Sequence, residues 1–167
     1  MISNEEDGEK SRFGVWHRDC IAWGGKLETG MASIRVLVAE DFLPFRRLIC
    51  ATLGKKPEME IVAEVSDGQE AVRKAAELKP DLILLDIGLP TLNGIAAARQ
   101  IHRLVPDSKI IFVTQESSED VVQEALTTGA LGYVVKTTMN GNLLAAVSAV
   151  LEGKQFVSKD LMHPRSV

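Results

Sequence analysis

Short unbroken apolar runs alternate along this chain with longer stretches in which apolar side chains return every three or four positions. Ile34-Arg35-Val36-Leu37-Val38-Ala39 is the first run, a buried strand stopped by Glu40-Asp41. Residues 43–53 follow at helical period, with Phe45, Leu48, Ile49, Thr52 and Leu53 on the inner side. Pro44 suits the first turn of that helix and Gly54 its C-terminal cap. Residues 60–65 predict a second strand. Ser66-Asp67-Gly68-Gln69 then has the spacing of a capping box and opens a helix through Ala71, Val72, Ala75 and Leu78. Leu82-Ile83-Leu84-Leu85 forms a third strand and runs straight into Asp86. Gly88, Pro90 and Gly94 mark a loop, and a helix over residues 93–105 buries Ile95, Ala98, Ile101 and Val105. Residues 109–114 predict the fourth strand. Ser117 to Asp120 repeats the capping-box spacing before a helix through Val121, Val122, Ala125 and Leu126, closed by Gly129. Residues 131–135 give the fifth strand, and residues 142–151 the last helix, closed by Gly153.

Strands alternating with helices imply βαβ units and a parallel sheet, and right-handed crossovers put helices on both faces. Five strands and five helices fit one α/β three-layer sandwich. Periodicity leaves the strand order open.

Composition narrows the picture. The chain has 167 residues, enough for one domain with a full core, and a formal net charge of −4. A mildly acidic domain lacks the electrostatic footprint of a nucleic-acid binder. Cys20 and Cys50 form neither a disulfide framework nor a zinc spacing, which reads as reduced thiols in a cytoplasmic protein. No apolar run approaches the roughly 20 residues of a membrane span. Asn4-Glu5-Glu6-Asp7 has the wrong charge for a signal peptide. Residues 1–32 read as a weakly ordered extension or local flap, with Trp16 and Trp23 but no sustained period, and Met31 could also start translation. Residues 33–157 then form the domain and 158–167 a short tail.

The chemistry lies at the strand ends. Strand one ends in Glu40 and Asp41, strand three in Asp86, strand four in Thr114, and strand five is followed by Lys136. In a parallel sheet these ends share one edge, where open α/β sheets bind ligands. Two carboxylates 4 Å apart repel by about 4 kcal/mol at an effective dielectric near 20, so the trio calls for a cation. Mg²⁺ prefers oxygen ligands and keeps positions open for phosphate oxygens. Lys136 adds a point charge suited to phosphate and Thr114 a hydroxyl donor. The set reads as a phosphoryl-transfer site with Asp86 as nucleophile. Taken singly, each residue has a plainer role: an acidic pair at a helix N-terminus, a strand threonine, a solvated lysine.

These stretches, with Leu84-Leu85-Asp86-Ile87-Gly88-Leu89-Pro90 and Gly94, Ile110-Ile111-Phe112-Val113-Thr114 and Gly132-Tyr133-Val134-Val135-Lys136, carry a resemblance. From about residue 34 to 157 the sequence resembles the receiver domain of two-component response regulators. The resemblance implies a doubly wound, flavodoxin-like sheet of order 2-1-3-4-5, which the general rule for such folds itself illustrates with a receiver. It implies Asp86 as phosphoacceptor, with Thr114 and Lys136 completing the reactive set. It implies Glu40, Asp41, Asp86 and the Gly88 backbone carbonyl as the Mg²⁺ site. Thr114 and Tyr133 match the switch pair, the hydroxyl moving onto the phosphoryl group and the aromatic rotating inward. The implied partner is a sensor histidine kinase or phosphotransfer protein, with a homodimer as a further option and neither nucleic acid nor membrane bound by this chain. Such a domain is a phosphoacceptor that signals through its fourth helix, fifth strand and fifth helix, not an enzyme.

The last helix is similar to that of receivers from LuxR-type transcription regulators, which carry a DNA-binding helix-turn-helix domain after a linker. This chain ends too early for one, leaving a stand-alone receiver or a piece of a longer regulator. Two positions depart from the pattern. Gln115 stands where a small residue usually follows the switch threonine, which puts fast phosphorylation by small donors in doubt. Thr137 replaces the proline many relatives place after the lysine, so a cis bond there is not assured. Gln115 also supports a rival reading, a binding module without phosphorylation. A small α/β phosphatase or flavin protein is a third, opposed by Gly88 where a second Asp would stand and by the acidic first loop. His17, His102 and His163 are scattered, and His102 reads as a surface side chain. The stripe Leu143, Leu144, Val147, Val150, Leu151 is either deeply packed or partly a dimer surface, and Cys50 reads as a small core residue.

Overall fold

Residues 32–158 are described by the structure, a computed structural model; the expectations for residues 1–31, including Trp16, Trp23 and His17, and for His163 lie outside them. The elements run β1 (Ile34–Ala39), α1 (Leu43–Leu53), β2 (Met59–Val65), α2 (Gly68–Leu78), β3 (Leu82–Leu85), α3 (Gly94–Leu104), β4 (Lys109–Thr114), α4 (Glu119–Leu126), β5 (Gly132–Val135), α5 (Met139–Leu151) and β6 (Phe156–Val157). The sheet is parallel, in the order β2-β1-β3-β4-β5-β6.

The unbroken apolar strands make sense once both faces are covered. Along β1, Leu37 and Ala39 face one apolar layer while Val36 and Val38 face the other. In β3, Ile83 and Leu85 alternate with Leu82 and Leu84 in the same way. Helices α2, α3 and α4 cover the first layer through Ala71, Ala75, Ala98, Ile101, Val122 and Ala125. Helices α1 and α5 cover the second through Ile49, Leu53, Leu143, Val147 and Val150. Each fully buried Leu or Ile contributes roughly 1.5–3 kcal/mol. The two clusters therefore hold the strand ends on a rigid edge.

The structure departs from the sequence reading in several places. A sixth strand, β6, pairs with β5. Phe156 N–H donates to the Leu131 carbonyl at 2.9 Å, and Ser158 N–H to the Tyr133 carbonyl at 2.9 Å. Two residues flanked by polar ones carry no period, so this strand exists only by docking on β5. Helix α5 begins at Met139, after a 3₁₀ turn over Lys136–Thr138, and not at residue 142. Asn140, Gly141 and Asn142 are poor helix formers, but burial of Met139 and Leu143 sets the start. Asp67, not Ser66, caps α2, accepting from Gln69 N–H at 2.8 Å and Glu70 N–H at 3.1 Å. Ser118 precedes α4 without a side-chain cap bond, so the second capping box is not formed. Leu48 is 40% exposed and is not an inner residue. Gly54 caps α1 with an ordinary right-handed backbone at φ −62°.

On the α5 stripe, Leu143, Val147 and Val150 are buried, and Leu144 and Leu151 lie half-buried against the same cluster. All peptide bonds of the described residues are trans, that before Thr137 included. Among these residues no helix is long and apolar enough to cross a membrane.

Cys50 is half-buried on α1. Burial first, and then the Glu64 carboxylate, push its thiol from 9.0 up to about 11. Near pH 8, alkylation at Cys50, followed by peptide mass spectrometry, should therefore run about a hundredfold slower than at an unshifted thiol. Glu64→Gln should speed it. The sign follows from linkage: folding favours the thiol, so this contribution to stability is lost as pH rises through about 11. A rate equal to that of a free cysteine would contradict the burial argument.

Candidate functional site

Asp86 leaves the end of β3 with its N–H donated to the Ala39 carbonyl of β1 at 2.9 Å, so its backbone extends the sheet ladder. The loop that follows is braced by close approaches. Gly94 N–H donates to the Ile87 carbonyl at 2.9 Å, and a Cβ on Gly94 would stand 2.0 Å from the Asp86 carbonyl oxygen. A Cβ on Gly68, at the start of α2, would stand 1.8 Å from the Leu92 carbonyl oxygen. Both contacts are with backbone and have no flexible end to yield. Gly94→Ala should cost about 1–3 kcal/mol or more, read as a drop in urea midpoint at constant m-value. Thr91 in the same loop has φ +65°, a left-handed conformation that a non-glycine residue seldom adopts.

Around Asp86 the strand ends converge. Lys136, the first residue after β5, places Nζ 3.1 Å from Asp86 Oδ2 and 2.7 Å from Glu40 Oε2. The three side chains are only 4%, 8% and 1% exposed, so this is a buried ion cluster and not a surface pair. Phe42 N–H donates to Glu40 Oε1 at 3.0 Å. The Lys136 contact with Glu40 Oε2 is close but poorly angled, which leaves that buried oxygen without a hydrogen-bond donor. Burial raises the Glu40 carboxyl above the ordinary range; Lys136 pulls against this and Asp86 adds to it.

Asp41 is exposed, yet Glu40, Asp41 and Asp86 each bring a carboxylate oxygen within 4.8 Å of the others. A donor set made of carboxylates, one with an unsatisfied oxygen, suits a hard divalent cation. The residues present therefore fit a metal of the Mg²⁺ class. Thr114, Gln115, Glu116, Ile87 and Gly88 complete a pocket of about 300 Å³. Gln115 is exposed and lines this pocket.

Thr114 and Tyr133 are joined through Glu116. Glu116 N–H donates to Thr114 Oγ1 at 3.3 Å, and the Tyr133 hydroxyl donates to the Glu116 carbonyl at 3.0 Å. Tyr133 is fully buried, so the aromatic already occupies an inward position, and burial raises its phenol well above the usual range.

Glu40, Asp41, Asp86, Gly88, Thr114 and Lys136 thus line one pocket, and Tyr133 is tied to it through Glu116. Asp86 is more enclosed than a strand-end position suggests, at 6% exposure. Phe42, Ile87 and Glu116 also line the pocket and escaped the sequence reading, as did two further neighbours. Phe45, taken only as an inner-face residue, lies with its ring 4.9 Å from Lys136 Nζ. Arg46 Nη1 donates to the Glu40 carbonyl at 2.7 Å and its Nε lies 3.5 Å from Glu64 Oε2. One helical turn after the acidic pair was the available signal.

Comparison with known proteins agrees with this geometry. Residues 36–148 match the family model of the response regulator receiver domain. The transcriptional regulatory protein LiaR of Bacillus subtilis is 39% identical over 121 residues, covering 72% of this chain and 57% of the relative. The chain thus spans little more than half the length of the curated relatives it matches. Among solved structures, the response regulator domain of Thermotoga maritima CheB is 32% identical with a TM-score of 0.67, covering 72% of this chain and 97% of that one. A LuxR-family two-component response regulator from Aurantimonas sp. SI85-9A1 is 30% identical with a TM-score of 0.71, covering 78% and 93%. With a receiver's fold, a strand-end acidic pocket and relatives of this kind, the chain belongs to the response regulator receiver domain family.

Proposed function

We propose that this chain is a phosphorylation-dependent switch in which Asp86 accepts a phosphoryl group from a histidine kinase or phosphotransfer protein. The observation that carries this reading is the placement of Asp86 between Lys136 and two further carboxylates in one pocket. An Asp86 carboxylate oxygen attacks phosphorus, the new P–O bond forms as the P–N bond to the donor imidazole breaks, and the imidazole leaves with the bonding pair. Glu40, Asp41, Asp86 and the Gly88 carbonyl would hold Mg²⁺, which when bound offsets the charge of the carboxylates and of the incoming phosphoryl oxygens. Lys136 contributes a fixed ammonium beside the acceptor oxygen. Thr114 Oγ1 accepts from Glu116 N–H, so its own proton is free to donate to a phosphoryl group on Asp86.

That donation gives the switch its output. Drawing Thr114 toward Asp86 weakens its bond to Glu116, whose carbonyl holds Tyr133. The shift passes to β5 and the neighbouring α4 and α5 surface, altering preference for a partner or a second copy. A useful switch needs the phosphate to favour one state by a few kcal/mol. On this reading the chain works in the cytoplasm beside its phosphate donor, and a DNA-binding output belongs to any longer regulator of which it is a part.

Intact mass after incubation with an acyl-phosphate donor tests the reading: one phosphoryl group should be gained with Mg²⁺ and little without it. The exposed Gln115 at the pocket favours one rival, a binding module that takes no phosphate. Failure of the wild type to gain phosphate from both a small donor and a competent kinase would support that rival.

A further inference from the structure

The Lys136 ammonium has three N–H donors and two carboxylates in contact, Glu40 and Asp86. An aromatic face also lies against it, with Lys136 Nζ over the Phe45 ring at 4.9 Å from the centroid. Phe45 is delivered by the same short segment as Glu40. Pro44 stands in the first turn of α1, and the Phe42 ring packs on Phe45 with centroids 5.8 Å apart. Phe45 also packs, partly buried, against the apolar layer under α1. The ring is thus held in place and turns its electron-rich face to a charge that is 4% exposed. A cation held against a desolvated aromatic face is attracted by the ring quadrupole, and an aliphatic side chain of similar size offers no such attraction.

We propose that Phe45 is a positioning residue: its ring face holds the Lys136 ammonium between Glu40 and Asp86, where it can meet a phosphoryl group on Asp86. The consequence for transfer rests on the phosphoacceptor reading above; the placement of the lysine does not. Without the ring, the flexible four-carbon stem of Lys136 can swing its charge toward the open part of the pocket.

The test compares Phe45→Leu, which keeps apolar bulk, with Phe45→Tyr, which keeps the aromatic face. In NMR spectra of the wild type, the Lys136 ε-methylene signals should be displaced upfield by the ring; Phe45→Tyr should retain that displacement and Phe45→Leu should lose it. With an acyl-phosphate donor and Mg²⁺, Phe45→Leu should slow phosphorylation of Asp86 roughly three- to tenfold, the reach of a partly desolvated cation–π contact. Phe45→Tyr should stay near the wild-type rate. In a Lys136→Ala background, Phe45→Leu should add no further slowing, a result that a merely structural role would not give. Wild-type lysine signals without a ring displacement, or Leu and Tyr variants with equal rates, would overturn the proposal. So would full additivity in the double variant. If the wild type takes no phosphate at all, the phosphoacceptor reading fails, and the NMR arm still decides whether Phe45 holds Lys136.

Discussion

Asp86→Asn should take up no phosphate under conditions where the wild type, on the proposed function, gains one phosphoryl group. The amide has no charged oxygen to attack phosphorus, and the other carboxylates do not substitute for it. Glu40 is fully buried, with Oε1 engaged by the Phe42 amide and Oε2 against Lys136. Asp41 is exposed, and Lys136 forms its ion pairs with Glu40 and Asp86 instead. Asp86 combines a rigid strand end, a lysine at 3.1 Å and a wall of the open pocket; Glu40 shares that lysine and the pocket wall but has no exposed surface, whereas Asp86 keeps 6%. Because Asn is nearly isosteric, the variant should keep the fold, which circular dichroism checks. Equal mass gain in wild type and variant would place the acceptor elsewhere and remove the main support for the proposed switch.

Lys136→Met should lower the stability of the metal-free protein by about 3 kcal/mol at neutral pH, the usual cost of removing one partner from a buried ion cluster. The side chain that replaces the ammonium can fill its space, but Glu40 and Asp86 are left facing each other with little water between them. Urea titration at constant m-value measures the loss. A loss well under about 1 kcal/mol would mean that water in the pocket, not Lys136, screens the carboxylates.

The same cluster fixes the pH dependence. Burial already holds the Glu40 carboxyl above its ordinary 4.5. The folded state therefore binds more protons than the unfolded state between 4.5 and the raised value, and stability falls as pH rises through that window. Without Lys136 the opposing pull is gone, so the variant's deficit should shrink as pH falls toward 4.5. Added Mg²⁺ should narrow the gap at neutral pH, because a ligand that binds the folded state stabilises it by mass action.

Much of this protein could be read without coordinates. Short unbroken apolar runs in β1 and β3 and a period near 3.6 in α2 and α3 report local geometry, so the elements they build appear directly in the order of apolar residues. The identities of Glu40, Asp41, Asp86, Thr114 and Lys136 were legible too, since each closes or follows an apolar run and a parallel sheet gathers such ends on one edge. What failed was whatever depends on contacts distant in sequence. Strand β6 has two residues and no period; β5 and Ser158 create it. The early start of α5 runs through Asn140-Gly141-Asn142, and burial of Met139 overrides their poor propensity. The shift of the α2 cap from Ser66 to Asp67 goes with the close packing of Gly68 on Leu92 and with the two backbone amides that Asp67 accepts.

By itself, then, the order of residues determined the strands, most of the helices and the chemical character of one edge, because those depend on periodicity and on side-chain type. The tertiary structure alone decided which groups touch. It set Lys136 against both Glu40 and Asp86, laid the Phe45 ring beside the ammonium, and tied Thr114 to Tyr133 through Glu116. Such contacts follow from the packing of both helical layers on a twisted sheet, which brings residues far apart in the chain within a few ångströms and leaves no trace in local sequence.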